Sequence, residues 1–463
     1  MPANLVTRWN EVVRLNSEAV ALTIAETGRS WTRGELASEV EMGVRRLDAV
    51  EREAIRGRRV VLAVPNGMEW LVGFLILLEA RAIPALLDAS ESDENQRVTA
   101  RAVGAVALWR DGGLEMLEAR GPVLGEDPGA ARVGLNRREK GYTRLALVKV
   151  TSGSTGTPKA LVFTHEQMIA DGENVCASMG IRTNDVNLGV IPFGHSYGLG
   201  NLVMPLLLQG SHIVVAANSF PHVLAAAIED SRVTVFPAVP AILRGLVRSE
   251  IARDTLASLR LVISAGAPLP EGIAAELFSK LGLRVHNFYG SSETGGICFD
   301  RDGQATLEGR SVGTPLNGVT IQWGRGGRFW VEGGAVVGRG RYSPPDRAER
   351  NEKGEMMLLG RVGRMVKVGG RRLELAEVEK AARLLPGVKD ACALLIPDRV
   401  DSIAVVVARD AQEAGSGEEL RRLLCTKIAP WKVPSRWIVV SDLPYTARGK
   451  LDARRLREMV QGR

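Results

Sequence analysis

The chain has 463 residues, of which 45% are hydrophobic, 24% are charged and 5% are aromatic. This length and apolar content suffice for two or more domains with a large buried core. The formal net charge of +7 comes largely from scattered arginines, and the low aromatic content argues against a nucleic-acid surface, which interleaves basic and stacking residues.

The amino-terminal residues and the cysteines limit the cellular setting. Charged residues come too early for a signal peptide, and the longest apolar run, WLVGFLILL at 70–78, is too short to span a bilayer. The four cysteines lie far apart without paired spacing, which argues against a zinc site and a disulfide framework. We therefore expect a reduced, cytoplasmic protein without integral membrane association.

Between residues 58 and 290, short apolar runs alternate with helical patterns, which predicts an α/β fold. The predicted strands are RVVLAVP (59–65), LALVKV (145–150), VNLGVIP (186–192), VTVFPA (233–238), LRLVISAG (259–266) and RVHNFYG (284–290). Ligands of open α/β sheets bind beyond the carboxyl ends of the strands. The polar residues that follow these strands are therefore candidates for binding.

The segment LVKVTSGSTGTPKALVFTH, residues 147–165, puts Ser, Thr and Gly between two apolar runs. It is either an ordinary flexible connection or a phosphate-binding loop. A Walker loop is excluded, because four residues after Gly153 the chain has Pro158-Lys159-Ala160 instead of Gly-Lys-Ser/Thr. The run ALVF predicts a strand, and Thr164 with Gln167 predicts a capping box that begins a helix. The loop is therefore predicted to join strand to strand.

The remaining third of the chain has a different pattern. Residues 310–360 are Gly-rich with short strands, as in GGRFWVEGGAVVGRGRY. A smaller unit follows, with helix LAEVEKAARLL, strands ACALLIP and IAVVVAR, a second helix and strand RWIVVSDLP. We predict a large domain of residues 1–361 and a carboxyl-terminal domain of residues 362–463.

Five motifs occur in a fixed order along the chain. They are TSGSTGTPK (151–159), PFGHSYG (192–198), NFYGSSE (287–293), YSPPD (342–346) with GRVGRMVKVGGRR (360–372), and PYTARGK (444–450). Together they resemble the adenylate-forming superfamily of acyl-coenzyme A synthetases, peptide-synthetase adenylation domains and luciferases, over almost the whole chain. The resemblance implies an α/β fold: a large amino-terminal domain of α/β layers with a Gly-rich β subdomain, and a small, mobile α+β carboxyl-terminal domain.

The resemblance also implies a two-step reaction. A carboxylate attacks the α-phosphate of ATP to give an acyl-adenylate and pyrophosphate, and a thiol then displaces AMP. Such transfers depend chiefly on positioning and on cationic groups around phosphate oxygens. The residues implied to hold the β- and γ-phosphates are those of the first motif: Thr151, Ser152, Gly153, Ser154, Thr155, Gly156 and Lys159.

Further residues are implied to bind the rest of ATP and its metal. Tyr289 resembles the ring that stacks on adenine, and Asn287 a polar contact to its edge. Magnesium prefers carboxylate and hydroxyl oxygens, so Glu293 and Thr155 are its implied ligands. The alternative for Glu293 is an ordinary solvated acid that follows a strand. The remaining implied nucleotide-binding residues are Ala265, Gly266, Ala267, Gly290, Ser291 and Ser292.

Asp346 resembles the acid that accepts the ribose hydroxyls, and it stands fifteen residues before Arg361, as the family spacing requires. The family usually has Thr-Gly before this acid, whereas here Pro344-Pro345 removes a hydroxyl and stiffens the chain. This departure affects the local contacts to ribose or phosphate. Arg361 is implied to bind nucleotide, and the alternative is a salt bridge at a domain boundary.

The candidate catalytic residues are Lys450, Glu293 and His195. Lys450 resembles the lysine that bridges the attacking carboxylate, the α-phosphate and the ribose in the first step. His195 resembles the aromatic gate between the ATP site and the acyl pocket. It is not assigned as a base for that step, because a carboxylate is already ionised near neutral pH. The alternative for His195 is a structural histidine with satisfied hydrogen bonds.

The acyl pocket is implied to be small-residue and apolar, which suits a fatty or aryl acid without choosing between them. Amino-acid substrates are disfavoured, because Ser196 stands where amino-acid-activating relatives carry an Asp that pairs with the ammonium. The implied pocket residues are His195, Ser196, Tyr197, Val239, Gly290, Gly295 and Ile297.

The acceptor thiol is implied to be the pantetheine of coenzyme A, with an acyl carrier protein as the alternative. Gly369, Gly370 and Arg372 resemble the loop that lines the pantetheine tunnel after the carboxyl-terminal domain rotates, and Gly363 is the implied hinge. The expected cofactors are therefore ATP, Mg²⁺ and coenzyme A. Two other uses of the fold stay open: a β-lactone synthetase and a nucleotide-binding protein without turnover.

Overall fold

The computed structural model describes residues 4–117, 144–152, 158–270, 272–361, 365–368, 371–396, 402–409, 416–446 and 451–462. Within these ranges the structure describes only the backbone of Ser152, Pro158, Arg361, Met365, Lys367, Arg371, Arg372, Glu374 and Trp431. Helices and strands are numbered along the chain.

Nine of the described strands form one sheet of the large domain. In spatial order they are β15 (Thr314–Pro315), β14 (Gly295–Phe299), β13 (Val285–Ser291), β12 (Leu261–Ser264), β11 (Val235–Ala238), β9 (Val186–Leu188), β10 (His212–Val215), β1 (Val20–Ile24) and β2 (Ser30–Thr32). The strands from β13 to β1 pair in parallel, and antiparallel strands close both edges. The carboxyl ends of the parallel strands therefore share one edge of the sheet.

A second sheet of the large domain has six strands. Their order is β6 (Gly113–Met116), β5 (Ala105–Arg110), β3 (Arg59–Leu62), β4 (Ile83–Leu86), β7 (Leu145–Ser152) and β8 (Pro158–Thr164). The four inner strands are parallel, whereas β7 and β8 form an antiparallel hairpin. All six predicted strands between residues 58 and 290 are confirmed, with ends shifted by a few residues.

Helices cover the sheets of the large domain. They are α1 (Leu5–Leu15), α2 (Arg33–Arg46), α3 (Ala49–Ile55), α4 (Met68–Glu79), α5 (Asp93–Ala102), α6 (His165–Met179), α7 (Ser196–Gly198), a π-helical turn at Leu199–Val203, α8 (Met204–Gln209), α9 (Pro221–Asp230), α10 (Pro240–Val247), a 3-10 turn at Arg253–Leu256, α11 (Ile273–Leu281), α12 (Gln304–Leu307) and α13 (Val337–Gly340). The largest apolar cluster combines α1, α2, α4, α6 and α8 with residues of both sheets. These helices therefore hold the two sheets together.

The Gly-rich region forms small antiparallel sheets. One contains β16 (Val319–Trp323), β17 (Phe329–Gly333) and β18 (Arg341–Tyr342), and the other contains β19 (Asp346–Arg350) and β20 (Met356–Arg361). Between β16 and β17 lies a 3-10 turn at Arg325–Gly327. Phe329, Val331 and Met356 are buried here against Ile297 of β14. The predicted change to short strands is therefore confirmed.

The carboxyl-terminal part has its own core. It contains β21 (Met365–Val368), β22 (Arg371–Glu374), α14 (Leu375–Arg383), β23 (Val388–Leu395), β24 (Ile403–Arg409), α15 (Gly417–Cys425), a 3-10 turn at Pro430–Lys432, β25 (Arg436–Val440) and α16 (Ala453–Gln461). Leu373, Val378, Val405 and Leu420 lie in one apolar cluster, which joins α14 and α15 to the sheet. The predicted α+β character of this region is confirmed, while the boundary at residue 361 stays a prediction.

Candidate active site

The hydroxyl-rich first motif lies at the tip of the β7–β8 hairpin. Thr151 pairs with Lys159 and Ser152 pairs with Pro158, so five residues join the two strands. Thr164 then begins α6: its hydroxyl accepts the Gln167 backbone N–H at 3.2 Å, and the Gln167 side chain accepts the Thr164 N–H at 2.9 Å. The predicted strand-to-strand loop and the predicted capping box are both confirmed.

The residues predicted to bind adenine and ribose are in direct contact. The Tyr289 hydroxyl, at the end of β13, donates a 2.9 Å hydrogen bond to a carboxylate oxygen of Asp346, the first residue of β19. Asp346 is also the cross-strand partner of Arg361. The fifteen-residue spacing between these two charged residues is therefore the length of a β-hairpin whose two ends meet beside Tyr289.

The predicted adenine wall lies at the end of β12. Ala265 is buried and donates its N–H to the Ala238 carbonyl of β11 at 3.2 Å, while Gly266 is exposed with φ +86. A β-carbon on Gly266 would touch Val239, a predicted pocket residue, at 3.5 Å. The Asn287 amide donates to the Ser311 carbonyl at 3.3 Å. The wall and one side of the predicted acyl pocket are thus adjacent.

Glu293 follows β13 and is held through both its backbone and its side chain. Its carbonyl accepts the Val337 N–H at 2.8 Å, and its carboxylate accepts the Tyr342 hydroxyl at 3.2 Å. On either side of Glu293 in the sequence, the Ser291 and Thr294 hydroxyls lie 3.0 Å apart. Tyr342 precedes the Pro-Pro departure, so the Gly-rich region both supports Glu293 and carries Asp346.

Beneath this turn lies a group of buried charges that the motifs do not single out. Lys149 of β7 is 2% exposed, and its ammonium lies 4.4 Å from the centroid of the Phe163 ring. Burial lowers the pKa of Lys149, and the carboxylates of Asp171 and Glu293 oppose that shift. Burial raises the pKa of Asp171, and Lys149 opposes that shift in turn. The charges of Lys149 and Asp171 therefore offset each other's burial.

Asp171, on α6, also shapes the β13–β14 turn. Its carboxylate accepts the Gly296 backbone N–H at 3.0 Å. The preceding Gly295 has φ +69, and a β-carbon there would collide with the same carboxylate. Gly295, a predicted pocket residue, is therefore required by both its backbone conformation and its closeness to Asp171.

His195, the predicted gate, is paired with an acid. Its Nε2 lies 3.0 Å from a carboxylate oxygen of Asp88, which is 9% exposed and follows β4. The next residue, Ser196, donates from its hydroxyl to the Ser292 hydroxyl at 3.1 Å. This contact joins the predicted acyl pocket to the predicted nucleotide site.

Tyr197 and Ile297 are packed into the structure around the site. The Tyr197 hydroxyl donates to the carbonyls of Ala238 and Ile263 at 3.3 and 3.2 Å, at the ends of β11 and β12. Burial raises the pKa of Tyr197 well above its ordinary value, so it remains a neutral donor. Ile297 is 0% exposed and packs with Phe329. Both residues support the site, and their contact with substrate stays a prediction.

Several predicted site residues lie outside the described residues: Gly153, Ser154, Thr155, Gly156, Gly363, Gly369, Gly370 and Lys450. The side chains of Ser152, Arg361 and Arg372 are likewise outside. Their predicted contacts with phosphate, metal, coenzyme A and the hinge therefore stay predictions.

Among the functional candidates that the motifs missed, Lys149 offered a sequence signal. It is a lysine inside an apolar strand, two residues before the hydroxyl-rich loop begins. Asp88 and Asp171 offered none, because each lies among polar residues in an ordinary loop or helix pattern. Their contacts arise only when separate elements meet.

Comparison with known proteins decides the family. The family model for AMP-binding enzymes matches residues 9–323, and the model for the AMP-binding enzyme carboxyl-terminal domain matches residues 377–450. The chain belongs to the AMP-binding enzyme family. This membership confirms the predicted adenylate-forming superfamily, and the two matched models follow the predicted order of a large and a small domain.

Two curated relatives of this AMP-binding enzyme are named for the coenzyme A thioesters that they form. A feruloyl-CoA synthase of an Amycolatopsis species is 30% identical over 342 residues, which are 67% of this chain and 69% of that protein. A 2-hydroxy-7-methoxy-5-methyl-1-naphthoate–CoA ligase of Streptomyces carzinostaticus is 29% identical over 71% of this chain and 65% of its own length. The matches thus span about two thirds of these relatives. They agree with the predicted class of AMP-forming acid–thiol ligase.

The fold has a solved counterpart over the whole chain. The crystal structure of ATP-bound MatB from Rhodopseudomonas palustris superposes with a TM-score of 0.81, at 23% identity, over 99% of both chains. The predicted α/β fold with a smaller carboxyl-terminal domain is confirmed. Among the described residues, no helix is long and apolar enough to cross a membrane.

Proposed function

We propose that this AMP-binding enzyme activates a carboxylic acid with ATP and transfers the acyl group to coenzyme A. The observation that carries the proposal is the Tyr289–Asp346 hydrogen bond, which brings the predicted adenine and ribose ligands together beside the turn that holds Glu293. This arrangement lies at the carboxyl ends of β12 and β13, where an α/β sheet binds its ligand. The CoA-ligase relatives support the same assignment.

The first step requires the acid carboxylate to meet the α-phosphate of ATP. The acid is already ionised, so the residues need only position it and stabilise the charge that develops on the phosphate. Tyr289 and Asp346 would bind the nucleoside, while the hairpin between Thr151 and Lys159 would enclose the β- and γ-phosphates. Lys450 would bridge the two reacting groups, and pyrophosphate leaves.

The second step requires a thiol at the carbonyl of the acyl-adenylate. The thiol releases its proton to water, and the thiolate forms the new carbon–sulfur bond as the bond to the AMP oxygen breaks, so that AMP leaves as a stable phosphate anion. We propose that coenzyme A is the thiol, because two relatives are named as a naphthoate–CoA ligase and a feruloyl-CoA synthase. Gly369, Gly370 and Arg372 are the residues proposed to line its approach. An acyl carrier protein is the alternative acceptor.

The donor set suits a hard divalent cation. The Glu293 carboxylate is an oxygen ligand of the kind that Mg²⁺ prefers, and the Tyr342 hydroxyl fixes its direction. Among the described residues, no group of three or more His, Cys, Asp or Glu could hold a metal ion, so most ligands would come from nucleotide, water and Thr155. The cation would supply charge neutralisation at the phosphates when bound. We propose Glu293 as its protein carboxylate.

We propose an aromatic acid as the substrate class. The named relatives act on feruloyl and naphthoate groups, and this favours the aryl side of the alternative between fatty and aryl acids. The pocket side is bounded by Val239, Gly266 and Ser196, which are small or apolar residues. A buried ammonium would find Ser196 and Ser292 there in place of a carboxylate, which again disfavours amino acids.

The proposal is tested by pyrophosphate release with a panel of aryl, fatty and amino acids, with and without coenzyme A. We expect release that depends on aryl acids and a thioester that forms only when coenzyme A is added. Pyrophosphate release without any acid would indicate a nucleotide hydrolase. No release with any acid would indicate a nucleotide-binding protein.

We also propose a reducing, cytoplasmic location. All four cysteines are free, and three of them are buried. Burial raises the pKa of Cys176 to about 12, which keeps this thiol protonated and unreactive. Localisation of a tagged chain in the source cell would test this point.

A further inference from the structure

A contact joins the large domain to the base of the loop that carries Lys450. Arg244 lies in the last turn of α10, whose Leu243 and Leu246 are buried in the large domain. Its guanidinium carbon is 5.4 Å from the ring centroid of Tyr445, in the carboxyl-terminal part. A cation over an aromatic face at this distance is attracted by the ring electrons.

Tyr445 is held rigidly within its own domain. Its hydroxyl donates to a carboxylate oxygen of Asp390 at 2.5 Å. Asp390 is 6% exposed, and its other carboxylate oxygen accepts Arg383 Nε and the Ala391 N–H, both at 2.8 Å. Burial is the larger cause and the Asp390 carboxylate the smaller one that together raise the pKa of Tyr445 to about 12, so the phenol stays neutral. The ring therefore presents a fixed face to Arg244.

The same tyrosine pairs with the residue that follows Lys450 in the sequence. Tyr445 and Leu451 form an antiparallel bridge, and the Asp452 N–H donates to the Pro444 carbonyl at 2.8 Å. Asp452 then begins α16, because its carboxylate accepts the N–H groups of Arg454 and Arg455. Lys450 directly precedes Leu451 in the sequence. The described ends of the segment that carries Lys450 thus pair with each other, and one of them, Tyr445, contacts the large domain.

We propose that Arg244 is a positioning residue for adenylate formation: through the Tyr445 ring it docks the base of the Lys450 loop onto the large domain. The inference rests on the proposed function, in which Lys450 acts in the first half-reaction. Arg244 does not touch the reacting atoms. Its effect should therefore be confined to the step that needs this domain placement.

The test separates the two half-reactions. In Arg244→Ala, acid-dependent ATP–pyrophosphate exchange should slow by about 3- to 30-fold, the range that a cation–π contact can supply. Thioester formation from a supplied acyl-adenylate should stay within about 2-fold of wild type. Arg244→Lys should recover part of the exchange rate. Arg248→Ala, at the exposed carboxyl-terminal cap of the same helix, is the matched control and should exchange normally.

A double-mutant cycle tests the partner. Tyr445→Leu keeps an apolar side chain without the aromatic face, and its effect on exchange should not add to that of Arg244→Ala. Additive effects would overturn the assignment of Tyr445 as the partner. Equal losses in both half-reactions, or no loss in either, would overturn the positioning role.

A measurement that needs no turnover separates this inference from the proposed function. Hydrogen–deuterium exchange of the peptide that spans residues 444–452 should be faster in Arg244→Ala than in wild type when ATP is present. Unchanged protection would overturn the docking contact. If the wild-type protein released no pyrophosphate with any acid in the panel, the proposed function would be overturned instead. The hydrogen-exchange result would still decide whether Arg244 makes the docking contact.

Discussion

The Asp88 carboxylate lies 3.0 Å from Nε2 of His195, although the two residues are 107 positions apart in the chain. Asp88 follows β4 of the six-stranded sheet, and His195 precedes α7, which leads into the helices between the two sheets. The pair therefore fixes one imidazole orientation at the predicted entrance to the acyl pocket. In this orientation Nε2 is the ring nitrogen that faces the Asp88 carboxylate.

Asp88→Ala should raise KM for the acid substrate by about 2- to 10-fold, because the freed imidazole must be ordered again when substrate binds. The turnover number should change less, since the reacting groups are untouched. Asp88→Asn keeps a hydrogen-bonding oxygen and is the control, with a KM near wild type. Steady-state kinetics with the preferred acid measures both constants. An unchanged KM in Asp88→Ala would show that the pair does not shape the pocket.

Tyr289→Phe should raise KM for ATP by about 10-fold, because the charged Asp346 carboxylate loses the hydrogen bond that the Tyr289 hydroxyl donates to it. Asp346→Ala should have a larger effect, since it removes the group proposed to bind ribose. The comparison is made in the ATP dependence of pyrophosphate exchange, with thermal unfolding as the check on folding. A larger effect of Tyr289→Phe than of Asp346→Ala would contradict the assigned order.

Lys450→Ala should block adenylate formation and leave thioester formation from a supplied acyl-adenylate largely intact. The reason is that its proposed contacts, to the carboxylate and the α-phosphate, belong to the first step. Loss of this stabilisation should cost about 3 kcal/mol or more in the first barrier. The two half-reactions are measured separately, and an equal fall in both would show that Lys450 has another role.

Lys149→Met should lower the free energy of unfolding by about 3 kcal/mol, because it leaves the buried Asp171 carboxylate without the charge that offsets its burial. The double variant Lys149→Met, Asp171→Asn should recover much of that loss, since asparagine keeps an oxygen for the Gly296 N–H. Urea denaturation of the two variants and of Asp171→Asn completes the cycle. Purely additive losses would mean that the two charges are not coupled.

Acidification should destabilise the fold through the buried His165 and the half-buried His212. Burial lowers the pKa of His165 and that of His212 to about 4, from ordinary values of 6.5. Between those values the unfolded chain binds more protons than the folded chain, so stability falls as the pH falls from 6.5 towards 4. Each histidine should contribute up to about 1.4 kcal/mol per pH unit.

Urea denaturation at about pH 7 and about pH 5 measures this effect. The loss on acidification should be smaller in His165→Gln than in wild type, because the glutamine does not titrate and can still accept the Leu5 N–H that His165 Nδ1 accepts at 3.3 Å. His222→Gln, at an exposed position, is the control and should behave as wild type. An unchanged pH dependence in His165→Gln would contradict the prediction.

Local pattern accounts for most of the elements. Apolar runs with strand periodicity predicted β7, β12 and β13, and Thr164 with Gln167 predicted the start of α6, because these signals act between residues close in the chain. Motif spacing likewise predicted that Asp346 and Arg361 belong to one site. Their fifteen-residue separation became a cross-strand pair because a single hairpin joins them.

Contacts between distant elements could not be predicted in this way. The acid that pairs with His195, the buried surroundings of Lys149 and the meeting of Arg244 with Tyr445 each depend on how separate sheets, helices and domains pack. The sequence does not distinguish a solvated charged residue from a buried one, because burial arises only when the chain folds. Sequence alone therefore determined the family, the element order and the candidate nucleotide ligands. The tertiary structure decided which charges face one another, because burial and distance set their interaction.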